Sequence, residues 1–114
     1  MTDCLFCKIA AGEIPADIVD QDSEFVAFRD INPQAPTHIL IIPNEHIDSI
    51  ASVQNNQAEL IGKMFSKARE IAERENLVEG GYRLVVNHGP GAGQSVFHVH
   101  LHLLGGRALT WPPG

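Results

Sequence analysis

The sequence predicts an α+β fold in which one antiparallel sheet packs against a long helix and a short N-terminal helix. Residues 57–76 place apolar side chains at spacings of three and four, which is the period of an amphipathic helix. Several short segments rich in β-branched residues are separated by turn residues, a pattern typical of strands. The chain has 114 residues, 44% of them hydrophobic, so we expect one compact domain over residues 1–114.

The first half of the chain is expected to form the short helix and three strands. Residues 4–11 carry apolar positions at helical spacing, and Gly12 follows where such a helix would end. Residues 18–20 and 25–29 predict two strands joined by a polar turn. Residues 38–42 follow a break that contains two prolines and are mostly β-branched and apolar. We therefore expect this segment to be a central strand with both faces buried.

The second half of the chain begins with the long helix of residues 57–76. A glycine pair separates this helix from a predicted strand over residues 82–87. A glycine-rich loop over residues 89–93 comes next, and residues 95–104 predict the last strand. The order of these segments favours antiparallel pairing around one principal helix.

Charge and hydropathy exclude two classes of partner. The 14 acidic and 8 basic residues give a formal net charge of −6 without a basic run, so we expect no nucleic-acid partner. The longest strongly apolar run, residues 39–43, is far shorter than the ~20 residues of a membrane helix, so we expect no membrane partner. Residues 1–4 lack the basic start of a signal peptide, which predicts a cytoplasmic protein.

Three histidines at alternate positions concentrate the chemistry of the chain: His98, His100 and His102. On a strand they would share one face. The opposite, apolar face would consist of Phe97, Val99, Leu101 and Leu103. Alternate residues lie about 6.6 Å apart, so one metal ion bound by all three histidines would require severe bending. The row suits an extended group such as a phosphoryl group, because neutral imidazole serves as nucleophile or base near pH 7.

The loop before these histidines indicates a phosphate site. Gly89, Gly91 and Gly93 permit close approach of the backbone, and Gln94 and Ser95 add hydrogen-bond donors. The motif contains no arginine, so an anionic substrate must depend on backbone N–H groups and on protonated histidine.

Two cysteines, Cys4 and Cys7, form a C-x-x-C pattern near the N-terminus. A secreted chain of this length would be expected to carry more cysteines, spread along the sequence. In a cytoplasmic protein the pattern indicates half of a metal site or a redox pair. Packing of both as small apolar residues on one side of the short helix is the alternative.

Residues 98–104, His-Val-His-Leu-His-Leu-Leu, resemble the signature of the histidine triad superfamily. Residues 30–38 (Asp-Ile-Asn-Pro-Gln-Ala-Pro-Thr-His), 82–87 and 93–95 resemble the Hint branch, the histidine triad nucleotide-binding proteins. The terminal Trp-Pro-Pro-Gly of residues 111–114 also resembles this branch and separates the chain from the hydrolases of dinucleoside polyphosphates. The similarity extends from Cys4 to the C-terminus.

The resemblance implies a purine nucleoside phosphoramidase, which cleaves the P–N bond of adenosine 5′-phosphoramidates without a catalytic cofactor. It implies that His100 is the nucleophile and forms a nucleotidyl-histidine intermediate. His102 would contact the phosphate, Ser95 the phosphoryl group or leaving nitrogen, and His38 would assist proton delivery. The remaining residues expected around the nucleotide are Asp30, Ile31, Asn87, Gly93 and Gln94.

A homodimer and a structural zinc ion also follow from the resemblance. The sheets of two subunits would join into one antiparallel sheet, and the apolar strand, the helix stripe and Trp111 also favour a dimer. The zinc ligands would be Cys4, Cys7, His46 and His98, a set that suits tetrahedral zinc. The alternative places both cysteines in the core as free thiols, with His98 hydrogen-bonded to the backbone.

The sequence leaves the substrate open. Acyl-adenylates, nucleotidyl sulfates or a nucleotidyl transfer would use the same His100. A nucleotide-binding or interaction module with incidental catalysis is a further interpretation, although an ordered nucleophile favours an enzyme. His88, which lies beside the glycine loop, matches no family role and is expected on the surface.

Overall fold

The computed structural model describes residues 3–114. Met1 and Thr2, part of the segment in which we expected no signal peptide, lie outside the described residues. Within the described part, five strands form one antiparallel sheet with the order β1-β2-β3-β5-β4. The strands are β1 (Ile18–Gln21), β2 (Phe25–Arg29), β3 (Thr37–Pro43), β4 (Tyr82–Val85) and β5 (Leu101–Gly105). The helices are α1 (Leu5–Ala10) and α2 (Ala58–Arg74), and short 3-10 turns span Ile50–Ser52, Asn55–Gln57 and Pro90–Ala92. The predicted α+β class is confirmed.

Strand β3 is the middle strand of the sheet, and an α helix covers each of its two faces. Ile39 and Ile41 pack in one core with α2, whose residues Met64, Ala68, Ile71 and Ala72 are fully buried. Leu40 and Ile42 pack in a second core with Phe6 of α1. The apolar side chains of β3 are therefore covered within one subunit, and so are the large apolar side chains of α2 except Phe65, which is 40% exposed. They give no support to the homodimer, which stays a prediction.

The last strand is shorter than the sequence predicts, since β5 begins at Leu101 and not at residue 95. Val99 donates its N–H to the Ile47 carbonyl at 2.6 Å instead of pairing with β3. Nε2 of the His98 ring donates a hydrogen bond to the carbonyl oxygen of Pro43, the last residue of β3, at 2.8 Å. Only His102 of the three histidines therefore lies on a strand.

This bend also corrects the predicted core face. Val99, Leu101 and Leu103 are buried as expected, but Phe97 is 51% exposed. The segment before Leu101 does not alternate as a strand does, so Phe97 is turned out of the core.

The C-terminal tail lies against β4. The Arg83 guanidinium donates to the carbonyls of Leu109 and Thr110 at 3.3 and 2.9 Å, whereas Trp111 is 81% exposed. Among residues 3–114, none of the helices has both the length and the apolar character that crossing a bilayer demands.

Candidate active site and metal cluster

A pocket of about 290 Å³ opens between α1 and the sheet. It brings together five of the residues expected at the nucleotide site: Asp30, Ile31, Ser95, His100 and His102. Much of the remaining wall is apolar and comes from α1, β2, β3 and the segment before β5: Leu5, Phe6, Ile9, Phe28, Leu40 and Val96. The arrangement suits a ligand that has an apolar ring at one end and a polar group near the histidines.

His100 is held as a neutral ring with a free nitrogen. Its Nδ1 lies 2.7 Å from the carbonyl oxygen of His98. A carbonyl oxygen only accepts, so Nδ1 carries the proton and Nε2 of the neutral ring keeps its lone pair. The ring of Phe6 stands edge-on to this imidazole, at 5.0 Å between centroids and 90° between planes. Burial lowers the pKa of His100 below its ordinary value, which favours the neutral, nucleophilic form.

His38 and His102 form a chain of hydrogen bonds beside His100. The backbone N–H of Gln34 donates to Nδ1 of His38 at 3.0 Å, so the His38 proton lies on Nε2. This Nε2–H donates to Nδ1 of His102 at 2.9 Å, and His102 is left with an N–H on Nε2. Burial and the neighbouring rings of His100 and His38 lower the pKa of His102 to about 4. His102 is therefore a neutral N–H donor on the pocket wall.

Asp30 lies close to this pair, with its carboxylate 3.5 Å from Nε2 of His38. The ligand atoms of Asp30, His38 and His102 all lie within 4.8 Å of one another, a spacing that a metal ion could bridge. Because Nδ1 of His38 already accepts from a backbone amide, a metal on Nε2 would require an imidazolate ring. The hydrogen bonds favour a proton relay at this position and not a metal site.

A second cluster unites the four residues expected to bind zinc. Nδ1 of His98 lies 3.3 Å from Sγ of Cys4, 3.5 Å from Sγ of Cys7 and 3.2 Å from Nδ1 of His46. Ligands around a tetrahedral zinc ion are expected to lie about 3.4–3.8 Å apart, given its Zn–N and Zn–S bond lengths. The four atoms thus have nearly the spacing that zinc requires.

Proton positions in this second cluster also favour a cation. His98 donates from Nε2 to the Pro43 carbonyl at 2.8 Å, and His46 donates from Nε2 to Asp48 at 2.7 Å. Both Nδ1 lone pairs therefore face the cluster and each other. Burial lowers the pKa of His98, and burial with the adjacent Cys4 thiol raises the pKa of Cys7 to about 11. A divalent ion would stabilise the thiolate of Cys7 and would bind the neutral ring of His98, so the residues fit zinc.

The alternative for the cysteines is only partly matched. Cys4 and Cys7 are half-buried and lie beside the two histidines, and Cys4 also packs against the second core. His98 does bond to the backbone, as that alternative requires, but through the nitrogen that faces away from the cysteines. The same bond leaves the other nitrogen available to a metal.

The five-stranded sheet and its histidine segment are shared with a known family. The sequence model of the HIT domain matches residues 11–109. The chain belongs to the HIT domain family. The match begins after both cysteines, so the metal cluster of this HIT domain rests on its own geometry and on individual relatives.

Relatives of this HIT domain support a nucleotide hydrolase. The purine nucleoside phosphoramidase of Escherichia coli (strain K12) is 51% identical over 107 residues, which cover 94% of this chain and 90% of that protein. The 14 kDa zinc-binding protein of Zea mays is 49% identical over 112 residues, covering 96% and 87%. The crystal structure of a HIT family hydrolase from Legionella pneumophila Philadelphia 1 has a TM-score of 0.97 and 57% identity, covering 98% and 100%. The resemblance to the histidine triad family is confirmed.

Four expected site residues lie behind or beside the pocket wall. His38 is buried behind His102. A Cβ built on Gly93 would lie 3.9 Å from Nδ2 of Asn87, which places these two residues side by side. The side-chain amide of Gln94 is buried and bonded inside the protein, and its backbone N–H donates to the Gly89 carbonyl, so neither group is available to a ligand. Their roles at the nucleotide stay predictions.

The wall formed by α1 is the part of the site that the sequence analysis missed. The apolar pattern of residues 4–11 predicts only one side of a helix and no ligand role for Leu5, Phe6 and Ile9. A hydrophobic pattern shows that a side chain is covered but not whether protein or ligand covers it. His88 is exposed as expected, and its Nδ1 lies 3.0 Å from Oγ of Ser49.

Proposed function

We propose that this HIT domain is a purine nucleoside phosphoramidase that hydrolyses adenosine 5′-phosphoramidates to AMP and an amine. One observation carries the proposal: the free Nε2 of His100 and the N–H donor of His102 line the same pocket. A nucleophile beside a proton donor is what a poor amine leaving group requires. The similarity to the phosphoramidase of Escherichia coli supports the choice of a P–N bond.

The nucleoside would occupy the apolar part of the pocket. Asp30 and Ile31 lie where the ribose and base are expected, and Ile31 is fully exposed and open to a ring. Arg29 also lines the pocket, but its guanidinium is bonded to both carboxylate oxygens of Glu75 at 3.1 and 3.0 Å. The N–H groups of Gly89, Ala92 and Gly93 bond inside the protein, so the phosphoryl group would depend mainly on Ser95 and on histidine.

In the first step, Nε2 of His100 attacks phosphorus as the bond from phosphorus to the amine nitrogen breaks. The Nδ1–H bond to the His98 carbonyl stabilises the positive charge that the ring gains. When an anionic phosphoryl group lies beside it, His102 binds one added proton and carries N–H on both nitrogens; the Asp30 carboxylate, 3.5 Å from Nε2 of His38, then accepts from the facing N–H groups and offsets the charge of the added proton. This proton passes from Nε2 of His102 to the leaving nitrogen, which departs as a neutral amine.

In the second step, water attacks phosphorus and His100 leaves as a neutral ring. The proton that water loses passes to Nε2 of His102, which restores the added proton of the pair. The products are AMP and the free histidine. The same residue thus serves as acid in one step and as base in the next.

Zinc would be held by Cys4, Cys7, His46 and His98, and it would supply structural cross-linking and no reaction chemistry. Its ligands join α1 to the segment before β5, which are two walls of the pocket. The zinc-binding relative from Zea mays supports this assignment.

A homodimer with a sheet continuous between subunits is also proposed. Strand β4 is at an edge of the sheet, where its free side can accept another strand, and Trp111 is exposed beside it. Light scattering should give twice the 12.4 kDa of one chain. A monomer at micromolar concentration would contradict this part of the proposal.

Turnover of a substrate panel tests the proposed reaction. The kcat/KM of an adenosine phosphoramidate should exceed that of a matched acyl-adenylate and of a nucleotidyl sulfate. Rapid acid quenching with mass spectrometry should locate a nucleotidyl adduct on His100. A larger kcat/KM for the acyl-adenylate, or an adduct on His98 or His102, would overturn the assignment.

A further inference from the structure

The side chain of Gln94 is a buried amide with every polar atom engaged. It is 3% exposed, and its Oε1 accepts from the N–H of Gly89 at 2.8 Å. Its Nε2 donates to the carbonyls of Asp48 and Val96, at 2.8 and 3.1 Å. Both amide protons and the amide oxygen are therefore used within the protein, and three backbone groups depend on them.

The first of these backbone groups begins the glycine loop. Gly89 has φ +83° and Gly93 has φ +97°, conformations that glycine adopts freely. Between them the Ala92 and Gly93 N–H groups close one 3-10 turn onto the carbonyls of Gly89 and Pro90, so the turn needs a further bond to fix its place against the pocket wall. The backbone N–H of Gln94 also donates to the Gly89 carbonyl at 3.0 Å. Backbone and side chain of one residue thus close residues 89–94 into a ring.

The other two backbone groups lie on either side of the pocket wall. The bond to the Val96 carbonyl restrains the peptide that follows Ser95, and both Ser95 and Val96 line the pocket. The bond to the Asp48 carbonyl ties this wall to the segment whose carboxylate holds His46. One buried side chain therefore connects the loop, the serine and the metal cluster.

We propose that Gln94 is a positioning residue, whose amide holds the glycine loop and Ser95 in the shape that receives the phosphoryl group. This inference rests on the proposed function, because it assumes a nucleotide in the pocket. Gln94 acts through Gly89, Ser95 and Val96, and its side chain does not touch the ligand. Loss of the Gln94 amide should therefore weaken binding of the phosphate group of a ligand and leave binding of the nucleoside unchanged.

The test compares AMP with adenosine in a Gln94→Met variant, which keeps the length of the side chain without its hydrogen bonds. Calorimetry should show AMP affinity reduced about tenfold, because three backbone groups lose their partner. Adenosine affinity should stay within about twofold, since the apolar wall is unchanged. An equal loss for both ligands, or no loss, would overturn the proposal.

A matched control is Gln54→Met. Gln54 is exposed and also donates from its amide to a backbone carbonyl, that of Ser52 at 3.3 Å, but away from the pocket. Its replacement should leave both affinities unchanged. A reduced AMP affinity in this control would mean that loss of any glutamine amide has the effect, and the proposal would fail.

A second variant and a measurement on the wild type cover the case in which Gln94→Met does not fold. Gln94→Glu keeps the acceptor for Gly89 but places an oxygen against the two carbonyls, so AMP affinity should still fall more than adenosine affinity. In the wild type, hydrogen exchange of the Gln94 side-chain amide should be slow, as expected for a buried donor. Exchange at the rate of an exposed glutamine would contradict the proposal.

The two proposals can fail separately. A wild-type protein that does not bind AMP, or does not turn over a phosphoramidate, would contradict the proposed function. A wild type that binds AMP, with an unchanged ratio of AMP to adenosine affinity in Gln94→Met, would contradict the role of Gln94 alone.

Discussion

Two pairs of histidines in this molecule bring ring nitrogens to nearly the same separation and yet differ in what lies between them. His46 and His98 approach to 3.2 Å, and His38 and His102 approach to 2.9 Å. In the first pair both facing nitrogens hold lone pairs, because the far nitrogens donate to a carboxylate and a carbonyl. In the second pair one facing nitrogen holds a proton, because the far nitrogen of His38 accepts from a backbone amide.

The difference teaches that the partner of the far nitrogen decides what a histidine pair can do. Acceptors behind both rings produce a pair that suits a metal ion, whereas a donor behind one ring produces a pair that suits a proton. Residue type and distance alone do not distinguish the two cases. His100, the proposed nucleophile, lies between the pairs, in ring contact with His102 and bonded to the backbone of His98.

The largest effect on turnover is expected at His100, which contacts a residue of each histidine pair. His100→Gly should lower turnover of an adenosine phosphoramidate by about a thousandfold or more, because the covalent route is lost. AMP affinity should change little, since the apolar wall and the glycine loop remain. Steady-state kinetics and calorimetry measure both, with His88→Ala as the control at an exposed histidine. Substantial turnover by the His100 variant would show that another group is the nucleophile.

The proton pair can be broken on its own by His38→Gln. We expect kcat to fall about a hundredfold with an amine leaving group, because proton delivery to the leaving nitrogen is lost. With an aryl ester of AMP, whose leaving group departs without a proton, kcat should fall far less. An equal fall for both substrates would indicate that His38 only shapes the pocket.

The metal pair can be broken by Cys4→Ser. Zinc measured in protein purified without a chelator should be lost, and Tm should fall by about 10 °C, as expected for about 2 kcal/mol in a domain of this size. Turnover of the folded variant should fall less than in His100→Gly. Full retention of zinc would contradict the ligand assignment.

A milder pair of variants sharpens the contrast between the clusters. Asp48→Asn replaces the carboxylate that accepts from Nε2 of His46 and so weakens this hydrogen bond. Zinc affinity should therefore fall about 10–100-fold. Asp30→Asn changes the carboxylate beside His38 and should leave zinc affinity unaltered. Competition with a chromophoric chelator measures both affinities. A loss of zinc from Asp30→Asn would place a metal in the relay and reverse the comparison.

The smallest effect is expected on the pH dependence of stability. Burial holds the pKa of folded His102 at about 4, below the value of about 6.5 in an unfolded chain. Between these values the unfolded state binds more protons, so this residue makes the folded protein less stable as pH falls from about 6.5 to 4. Urea unfolding of wild type and His102→Gln at pH 7 and 5 should show a steeper loss in the wild type. Equal losses would mean that His102 has an ordinary pKa.

The sequence predicts the framework well because its signals are local. The apolar period of α2 and the β-branched run of β3 each report burial of their own segment, and both elements form within a few residues of the predicted bounds. The short helix and the other strands follow in the predicted order. The family resemblance supplied the roles of individual residues, which pattern alone does not contain.

The pairing of the histidines could not be predicted from spacing. His38 and His102 are 64 residues apart and His46 and His98 are 52 apart, and periodicity carries no information over such distances. The straight strand expected for the triad is wrong, because Val99 bonds to Ile47, beyond the end of β3, and the His98 ring bonds to the carbonyl of Pro43, the last residue of β3. His98 and His102 lie in separate clusters because of this bend, and not because of the spacing along a strand.

The orientation of His100 has a consequence for how freely this site tolerates substitution. Its Nδ1–H is held by the backbone carbonyl of residue 98, and every amino acid supplies that group. The ring of His98, by contrast, serves the cysteine cluster through a different set of atoms. A substitution at position 98 can therefore remove a proposed metal ligand without altering the carbonyl that keeps the proton of His100 on Nδ1. Residue 98 thus contacts the cysteine cluster through its side chain and holds His100 through its backbone carbonyl, and only the first contact depends on the amino acid at this position.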